Sequence, residues 1–167
     1  RVLADNHCAE YVGSDIQLEG MDLFNLHYRA GLSIATQFYP KVQETLHMLH
    51  ELGMPLAIIT NKPERFTLPL LKELGVFEHF DVIVAGDTLP NKKPSPEPLQ
   101  YTAQRLNVAV EHMLMVGDSE NDVLAARAAG CPVVAVSYGY GENVASLGAD
   151  AVIHRFDDLR EFLELAH

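Results

Sequence analysis

The sequence predicts an α/β protein built on a doubly wound parallel sheet. Two observations carry this prediction: short apolar runs that end in small or polar residues, and stripes of leucine or alanine at helical spacing between those runs. Short apolar runs of this kind are typical of strands buried on both faces. Their alternation with helices over short connections indicates parallel strands joined by crossovers. A chain of 167 residues can bury a full core without disulfide support.

Five apolar runs are predicted to be strands. They cover residues 54–60, 82–86, 113–117, 133–136 and, with a weaker pattern, 151–153. Polar residues follow most of them, and the strand ends read Thr60-Asn61, Gly86-Asp87, Gly117-Asp118 and Ser137-Tyr138. Because ligands of such sheets bind at the carboxyl ends of the strands, we expect the functional site among these residues.

Five helices are predicted from apolar stripes and their end signals. A glycine after the last apolar residue ends a helix, and a serine before a first-turn proline begins one. The stripes are Val42 to Leu52 ended by Gly53, Leu68 to Leu74 ended by Gly75, Pro96 to Leu106 begun by Ser95, Ala125 to Ala129 ended by Gly130, and a last stripe of Leu159, Phe162, Leu163 and Leu165.

Composition limits the classes of partner. Asp and Glu number 23 against 12 Lys and Arg, for a formal net charge of −11, which argues against a nucleic-acid partner. No apolar run approaches the roughly 20 residues of a membrane span, so we expect no membrane partner. Cys8 and Cys131 are the only cysteines and fit a reducing compartment, so we expect a cytoplasmic protein. The sequence does not fix the oligomeric state.

The first part of the chain has a different character. Residues before Tyr39 carry no strand signal, and residues 14–35 have a helical pattern whose apolar face they cannot bury alone. The chain opens on Arg1 inside such a helical pattern. We therefore expect residues 1–38 to be part of a helical subdomain and a further segment to precede them.

Asp118, Ser119 and Asp122 are the first candidate site. Asp118 directly follows a predicted buried strand, and Asp122 lies one helical turn further on. Carboxylate oxygens are the ligands that Mg²⁺ prefers. The alternative is N-capping, since acids favour helix N-termini. The combination of three such residues after one strand favours a metal site.

Two further clusters could bind a phosphoryl group. The hydroxyl of Thr60 and the amide of Asn61 follow a strand and precede a helix, although turn chemistry is the alternative. Lys93 stands just before a helix begun by prolines, and a solvated basic loop is its alternative. A cation is needed there if Asp118 and an anionic substrate are to coexist.

Two other features receive structural interpretations. His47 and His50 have a metal-ligand spacing, but they lie on the polar side of their predicted helix, so we interpret them as a solvated face. Cys131 precedes a proline and a buried strand and is interpreted as a packing residue.

Several motifs follow one another in a fixed order between about Phe38 and Ile153. They are Ile59-Thr60-Asn61-Lys62-Pro63, Asn91-Lys92-Lys93-Pro94-Ser95-Pro96-Glu97-Pro98-Leu99, Val116-Gly117-Asp118-Ser119 with Asn121-Asp122, Ala128-Ala129-Gly130-Cys131-Pro132, and Tyr138-Gly139-Tyr140. Taken together, this ordered set resembles the haloacid dehalogenase-like superfamily, which has a Rossmann-like core. It looks closest to the phosphoglycolate phosphatase branch of that superfamily.

The resemblance implies a Mg²⁺-dependent phosphomonoester hydrolase that acts on a small phosphorylated metabolite, such as 2-phosphoglycolate, through an aspartyl-phosphate. It implies that Thr60 hydrogen-bonds the phosphoryl group, that Asn61 supports it and that Lys93 neutralises charge. These three are the expected catalytic and substrate-binding residues. Asp118 and Asp122 are the expected metal residues; Asp122 supports either the metal site or Lys93.

The sequence departs from this family in one respect. The nucleophile motif Asp-x-Asp-x-Thr does not occur in it. The resemblance then implies that residues 1–38 are the C-terminal part of a cap, and that residues 39–167 are a core lacking its first, central strand. We expect this chain alone to be inactive. A mutase-like or inactive binding relative stays open; a receiver-like signalling domain is disfavoured, because Thr60 and Lys93 precede Asp118.

Overall fold

The computed structural model describes residues 37–139 and 146–163. The chain divides into two compact units, residues 1–37 and residues 38–167. Residues 1–36 of the predicted cap segment, including Cys8, lie outside the described residues, as do Tyr140 and Leu165.

Helices and strands alternate along the described part of the second unit. The elements are α1 (Val42–Glu51), β1 (Ala57–Ile59), α2 (Glu64–Glu73), β2 (Val82–Val84), α3 (Glu97–Leu106), β3 (Met115–Gly117), α4 (Glu120–Ala129), β4 (Val133–Val136) and β5 (Ala151–Ile153), with 3₁₀ segments at Phe77–His79, Val110–His112 and Phe156–Glu161. All the strand pairs are parallel, so the predicted α/β class is confirmed.

The strands of the described residues form two separate sheets. β1 pairs with β2, with Ile59 opposite Val84. The other sheet has the order β3-β4-β5, and Gly117 lies opposite Ala135. Within the described residues no ladder joins β1 to β3, and each of these strands has one unpaired edge. These two edges are the places where the predicted missing central strand would pair.

The core continues from one sheet to the other despite this separation. On one face, α3 and α4 bury Leu99, Ala125 and Ala126, each with 0% of its surface exposed, against β3 and β4. Ile59 of β1 packs against the same cluster. Burial of a leucine side chain such as Leu99 stabilises the fold by about 1.5–3 kcal/mol. Cys131 belongs to this cluster and is 2% exposed, which confirms its interpretation as a packing residue.

The other face of the three-stranded sheet has its own apolar cluster. Val134, Val136 and Ile153 pack there with Leu159 of the last 3₁₀ segment. None of the helices in the two described ranges is both long and apolar enough to cross a bilayer.

The structure differs from the predicted boundaries at several places: β1, β2 and β3 are shorter than the predicted runs 54–60, 82–86 and 113–117, and two helix predictions also change. The last predicted helix is a 3₁₀ segment over its described part, because Leu159 is buried while Phe162 is 42% exposed, so its stripe offers only a short apolar face. Pro96, rather than Ser95, directly precedes α3. Ser95 still contributes to this helix start, since its Oγ accepts a hydrogen bond from the backbone N–H of Glu97 at 3.3 Å.

Candidate active site

Lys93 connects the carboxyl end of β1 to the start of α4, which follows β3. Its ammonium donates to the carbonyl oxygen of Ile59 at 2.6 Å and to Oδ1 of Asp122 at 2.5 Å. The two charged side chains are largely buried, with 10% of Lys93 and 6% of Asp122 exposed. A buried ion pair therefore connects the two sheets at the carboxyl ends of their strands, which is where ligands of such folds bind.

Asp122 uses both carboxylate oxygens within this network. Oδ2 accepts hydrogen bonds from the backbone N–H groups of Asp118 and Ser119, each at 3.1 Å, and from the Ser119 hydroxyl at 2.8 Å. Burial raises the pKa of Asp122, but the charge of Lys93 and the hydrogen bonds from Lys93 and Ser119 outweigh it and hold the pKa below its ordinary value. The carboxylate is therefore ionised at neutral pH.

Thr60 and Asn61 follow β1 at the same edge. The Thr60 N–H donates to the carbonyl of Val84 at 2.9 Å, and its Oγ accepts from the Lys62 N–H at 3.1 Å, so the hydroxyl can still donate its own hydrogen. The Asn61 side chain donates to the backbone carbonyl of Lys93 at 2.8 Å. Its Oδ1 is buried and has no partner among the described residues. Asn61 thus fixes the backbone that carries the lysine.

Asp118 lines a small pocket beside this network. Tyr39, Tyr138 and Gly139 line the same pocket. Gly139 lies so close to the carboxylate that any Cβ at this position would overlap Asp118, and glycine is therefore required there. Burial first, and then the nearby Asp157, Asp158, Tyr39 and Asp118, raise the pKa of Tyr138 to about 12, so its phenol stays protonated.

A Mg²⁺ ion fits the described residues only in part. Asp118 offers a hard oxygen ligand at a strand end, the type that Mg²⁺ prefers. Both oxygens of Asp122 already accept protein hydrogen bonds. In residues 37–139 and 146–163, no group of three or more His, Cys, Asp or Glu is arranged as a metal site. An ion held by Asp118 would therefore need further ligands, such as water, phosphate or residues beyond these ranges. The assignment of Asp122 as a metal ligand stays a prediction, and this geometry favours its other role, support of Lys93.

The structure brings the predicted residues into one connected network. The Lys93 ammonium donates to the carbonyl of Ile59, the residue before Thr60, and to the Asp122 carboxylate. That carboxylate also accepts from the backbone N–H of Asp118. The Asn61 side chain donates to the backbone carbonyl of Lys93. Sequence reasoning missed the close approach at Gly117, where a Cβ would lie within 3.0 Å of the Asp122 carboxylate. The signal in the sequence is Gly117 itself, a glycine at the end of a predicted strand, where a Cβ would meet the neighbouring carboxylate.

Known proteins resemble this chain in sequence and in fold. Residues 6–136 match the family model described as haloacid dehalogenase-like hydrolase. A phosphoglycolate phosphatase of Chromobacterium violaceum is 43% identical over 164 residues, which are 98% of this chain and 73% of that protein. A phosphoglycolate phosphatase of Salmonella typhimurium is 45% identical over 147 residues, which are 87% of this chain and 58% of that protein.

Solved structures agree with the sequence matches. The crystal structure of a predicted phosphoglycolate phosphatase from Haemophilus somnus has a TM-score of 0.90 and 33% identity, and the match covers 96% of this chain and 73% of that one. CbbY from Rhodobacter sphaeroides in complex with phosphate has a TM-score of 0.72 and 27% identity, with coverage of 83% and 65%.

The fold is a Rossmann-like α/β fold, and the polar network lies at the ends of its strands. The chain belongs to the haloacid dehalogenase-like hydrolase family. The predicted resemblance, including its closeness to phosphoglycolate phosphatases, is confirmed, and the receiver-like alternative is wrong. The chain spans between 58% and 73% of the length of the two sequence relatives named above.

Proposed function

We propose that this chain forms the phosphoryl-binding part of a Mg²⁺-dependent phosphomonoester hydrolase whose substrate is a small phosphorylated metabolite, 2-phosphoglycolate first among them. One observation carries the proposal: the buried Lys93 ammonium, held by Asp122 and the Ile59 carbonyl at the strand edge that also carries Thr60 and Asp118. The names of the relatives suggest the substrate, and the phosphate bound to a structural neighbour agrees with a phosphoryl ligand.

Each residue has a defined part in this proposal. An aspartate outside the 167 residues attacks phosphorus; a P–O bond to the carboxylate forms, the bond to the leaving alkoxide breaks, and the alkoxide takes up a proton from water or from an acid outside these residues. Water then hydrolyses the aspartyl-phosphate, which releases phosphate and restores the carboxylate. The Thr60 hydroxyl donates to a phosphoryl oxygen, and the Lys93 ammonium offsets the negative charge shared by nucleophile and phosphoryl group. Asp118 would hold Mg²⁺, which supplies further charge compensation when bound. Asn61 and Asp122 hold the lysine in position.

The test is phosphate release by the protein with its nucleophile segment included. 2-Phosphoglycolate would be compared with phosphorylated sugars and with nucleoside monophosphates at matched concentrations, with and without a chelator. The proposal expects release that depends on Mg²⁺ and the highest kcat/KM for the small acid. Release that is unaffected by the chelator would contradict the proposed Mg²⁺ dependence. A preference for a larger phosphoester would contradict 2-phosphoglycolate as the substrate.

A further inference from the structure

Three histidine rings meet at a second place in the structure. His47 and His50 of α1 contact His79, the last residue of the 3₁₀ segment Phe77–His79. His47 Nδ1 lies 3.4 Å from His79 Nε2, and the ring centroids of His50 and His79 lie 4.7 Å apart. The interpretation of His47 and His50 as a solvated face is incomplete, because both are exposed and yet pack on a third histidine.

This histidine cluster lies away from the candidate active site. The last turn of α1 leads into β1, and the 3₁₀ segment with His79 leads into β2. Both therefore stand at the amino ends of the parallel strands, whereas Thr60 and Lys93 lie at the carboxyl end of β1. A ligand of the cluster would not compete with a phosphoryl group.

We propose that His47 and His79, with His50 or Glu51 as a third ligand, bind a divalent transition-metal ion of the Zn²⁺ type. Nitrogen ligands about 2.0–2.1 Å from a tetrahedral zinc lie about 3.3–3.4 Å from one another. The observed distance of 3.4 Å between the His47 and His79 nitrogens matches that spacing. Imidazole ligands suit Zn²⁺, Ni²⁺ and Cu²⁺ and not the Mg²⁺ proposed for the other site.

The third ligand requires a side-chain rotation. The described residues contain no preassembled group of three metal ligands. His50 and Glu51 follow His47 by three and four residues on a helix, and so they share its face. Both are exposed, so either can turn toward the pair without disturbing the core.

The surroundings of His79 disfavour the charged form of its imidazole. Burial, followed by the neighbouring His50 and His47, lowers the pKa of His79, and Glu51 only partly opposes them. A neutral imidazole is the form that binds metal. Glu51 also supplies a negative charge beside the cation. No other charged group is found to act on His79 from the elements described here.

Zinc binding can be measured by competition with a chromogenic chelator and by thermal unfolding. Every form would carry Asp118→Asn, so that zinc at the candidate active site is not counted. The proposal expects one bound equivalent and a rise in Tm with Zn²⁺ but not with Mg²⁺, since a ligand of the folded state stabilises it by mass action. His47→Gln and His79→Gln each remove a direct ligand and should weaken binding by at least the roughly tenfold that the loss of an outer-shell partner costs.

His112→Gln is the matched control, because His112 is also exposed and also ends a 3₁₀ segment, Val110–His112. It should leave zinc affinity unchanged. Equal affinity in the parent, His47→Gln and His79→Gln forms would overturn the proposal, as would an equal loss in His112→Gln. If His79→Gln does not fold, the exposed His47→Gln form decides. His50→Gln and Glu51→Gln identify the third ligand, and binding that neither of them weakens would contradict a three-ligand site.

Discussion

At the scale of single residues, the two adjacent lysines have different surroundings. Lys93 is largely buried and bonded to Asp122 and Ile59, whereas Lys92 is exposed. Lys93→Ala in the protein with its nucleophile should lower kcat by orders of magnitude, because a positioned cation stabilises transition-state charge. It should also lower the free energy of unfolding by about 3–5 kcal/mol, because Asp122 is left as a buried, unpaired charge.

Lys92→Ala is the matched control and should change neither quantity measurably. Steady-state phosphate release and urea unfolding of both variants make the comparison. The reverse ranking, with Lys92→Ala the more damaging change, would show that the wrong lysine has been assigned.

Asp118 allows a second comparison between neighbouring carboxylates. Asp118→Asn should remove Mg²⁺-dependent turnover while the protein stays folded, since the loss of metal charge compensation costs several kcal/mol in the transition state. Glu120→Gln changes an exposed carboxylate two residues away and should retain turnover. The measurement is kcat as a function of Mg²⁺ concentration. Parental turnover by Asp118→Asn at ordinary Mg²⁺ would disprove the assignment.

At the scale of elements, the start of α4 should make stability depend on pH. The pKa of Asp122 is lower in the folded protein than the ordinary value of 3.8. Between these two pKa values the unfolded chain binds more protons, so the stability from this group is complete above about pH 3.8 and is lost as the pH falls through the folded pKa. Asp122→Asn should flatten this acid-side loss, as seen in urea unfolding between pH 2 and 7.

Glu120→Gln again provides the control, because Glu120 also lies in the first turn of α4 but is exposed. Its unfolding should follow the parental pH dependence. An unchanged acid-side slope in Asp122→Asn would mean that the Lys93 pair does not hold the carboxylate in its charged form.

The elements themselves were predictable where local signals agree with packing. Val133–Val136 was predicted with its observed bounds, because all four residues are buried and the run is closed at both ends. The run 54–60 shortens to Ala57–Ile59, since a strand extends only as far as its neighbour β2 pairs with it. The contact of His79 with α1 could not be predicted, because His79 and His47 are 32 residues apart in the sequence and local sequence patterns do not indicate contacts over such a separation.

At the scale of the whole molecule, the separation between β1 and β3 is the dominant feature. The order of the motifs predicted which residues share the site. The contact of Lys93 with Asp122 is one of the two roles that the resemblance implies for Asp122, whereas the contact of Lys93 with the Ile59 carbonyl was not predictable, because it depends on how α3 packs against both sheets. In the described residues, the backbone groups along the inner edges of β1 and β3 have no ladder partner. An added parallel strand could pair with both edges.

The last prediction concerns catalysis by these 167 residues alone. They should release no phosphate from 2-phosphoglycolate, with or without Mg²⁺, because no Asp-x-Asp-x-Thr nucleophile motif is present and in-line positioning supplies a large part of the rate. In the proposed function Thr60 and Lys93 bind the phosphoryl group and do not attack it, because no carboxylate or histidine is seen to bond the Thr60 hydroxyl in the described residues and Lys93 is paired with the Asp122 carboxylate. A separate peptide that carries the motif on an apolar strand should restore some release if it pairs with β1 and β3. The measurement is phosphate release from the purified chain, with a chelated control and with the Asp118→Asn form. Mg²⁺-dependent release by the chain alone that disappears in Asp118→Asn would show that the chain contains a nucleophile after all.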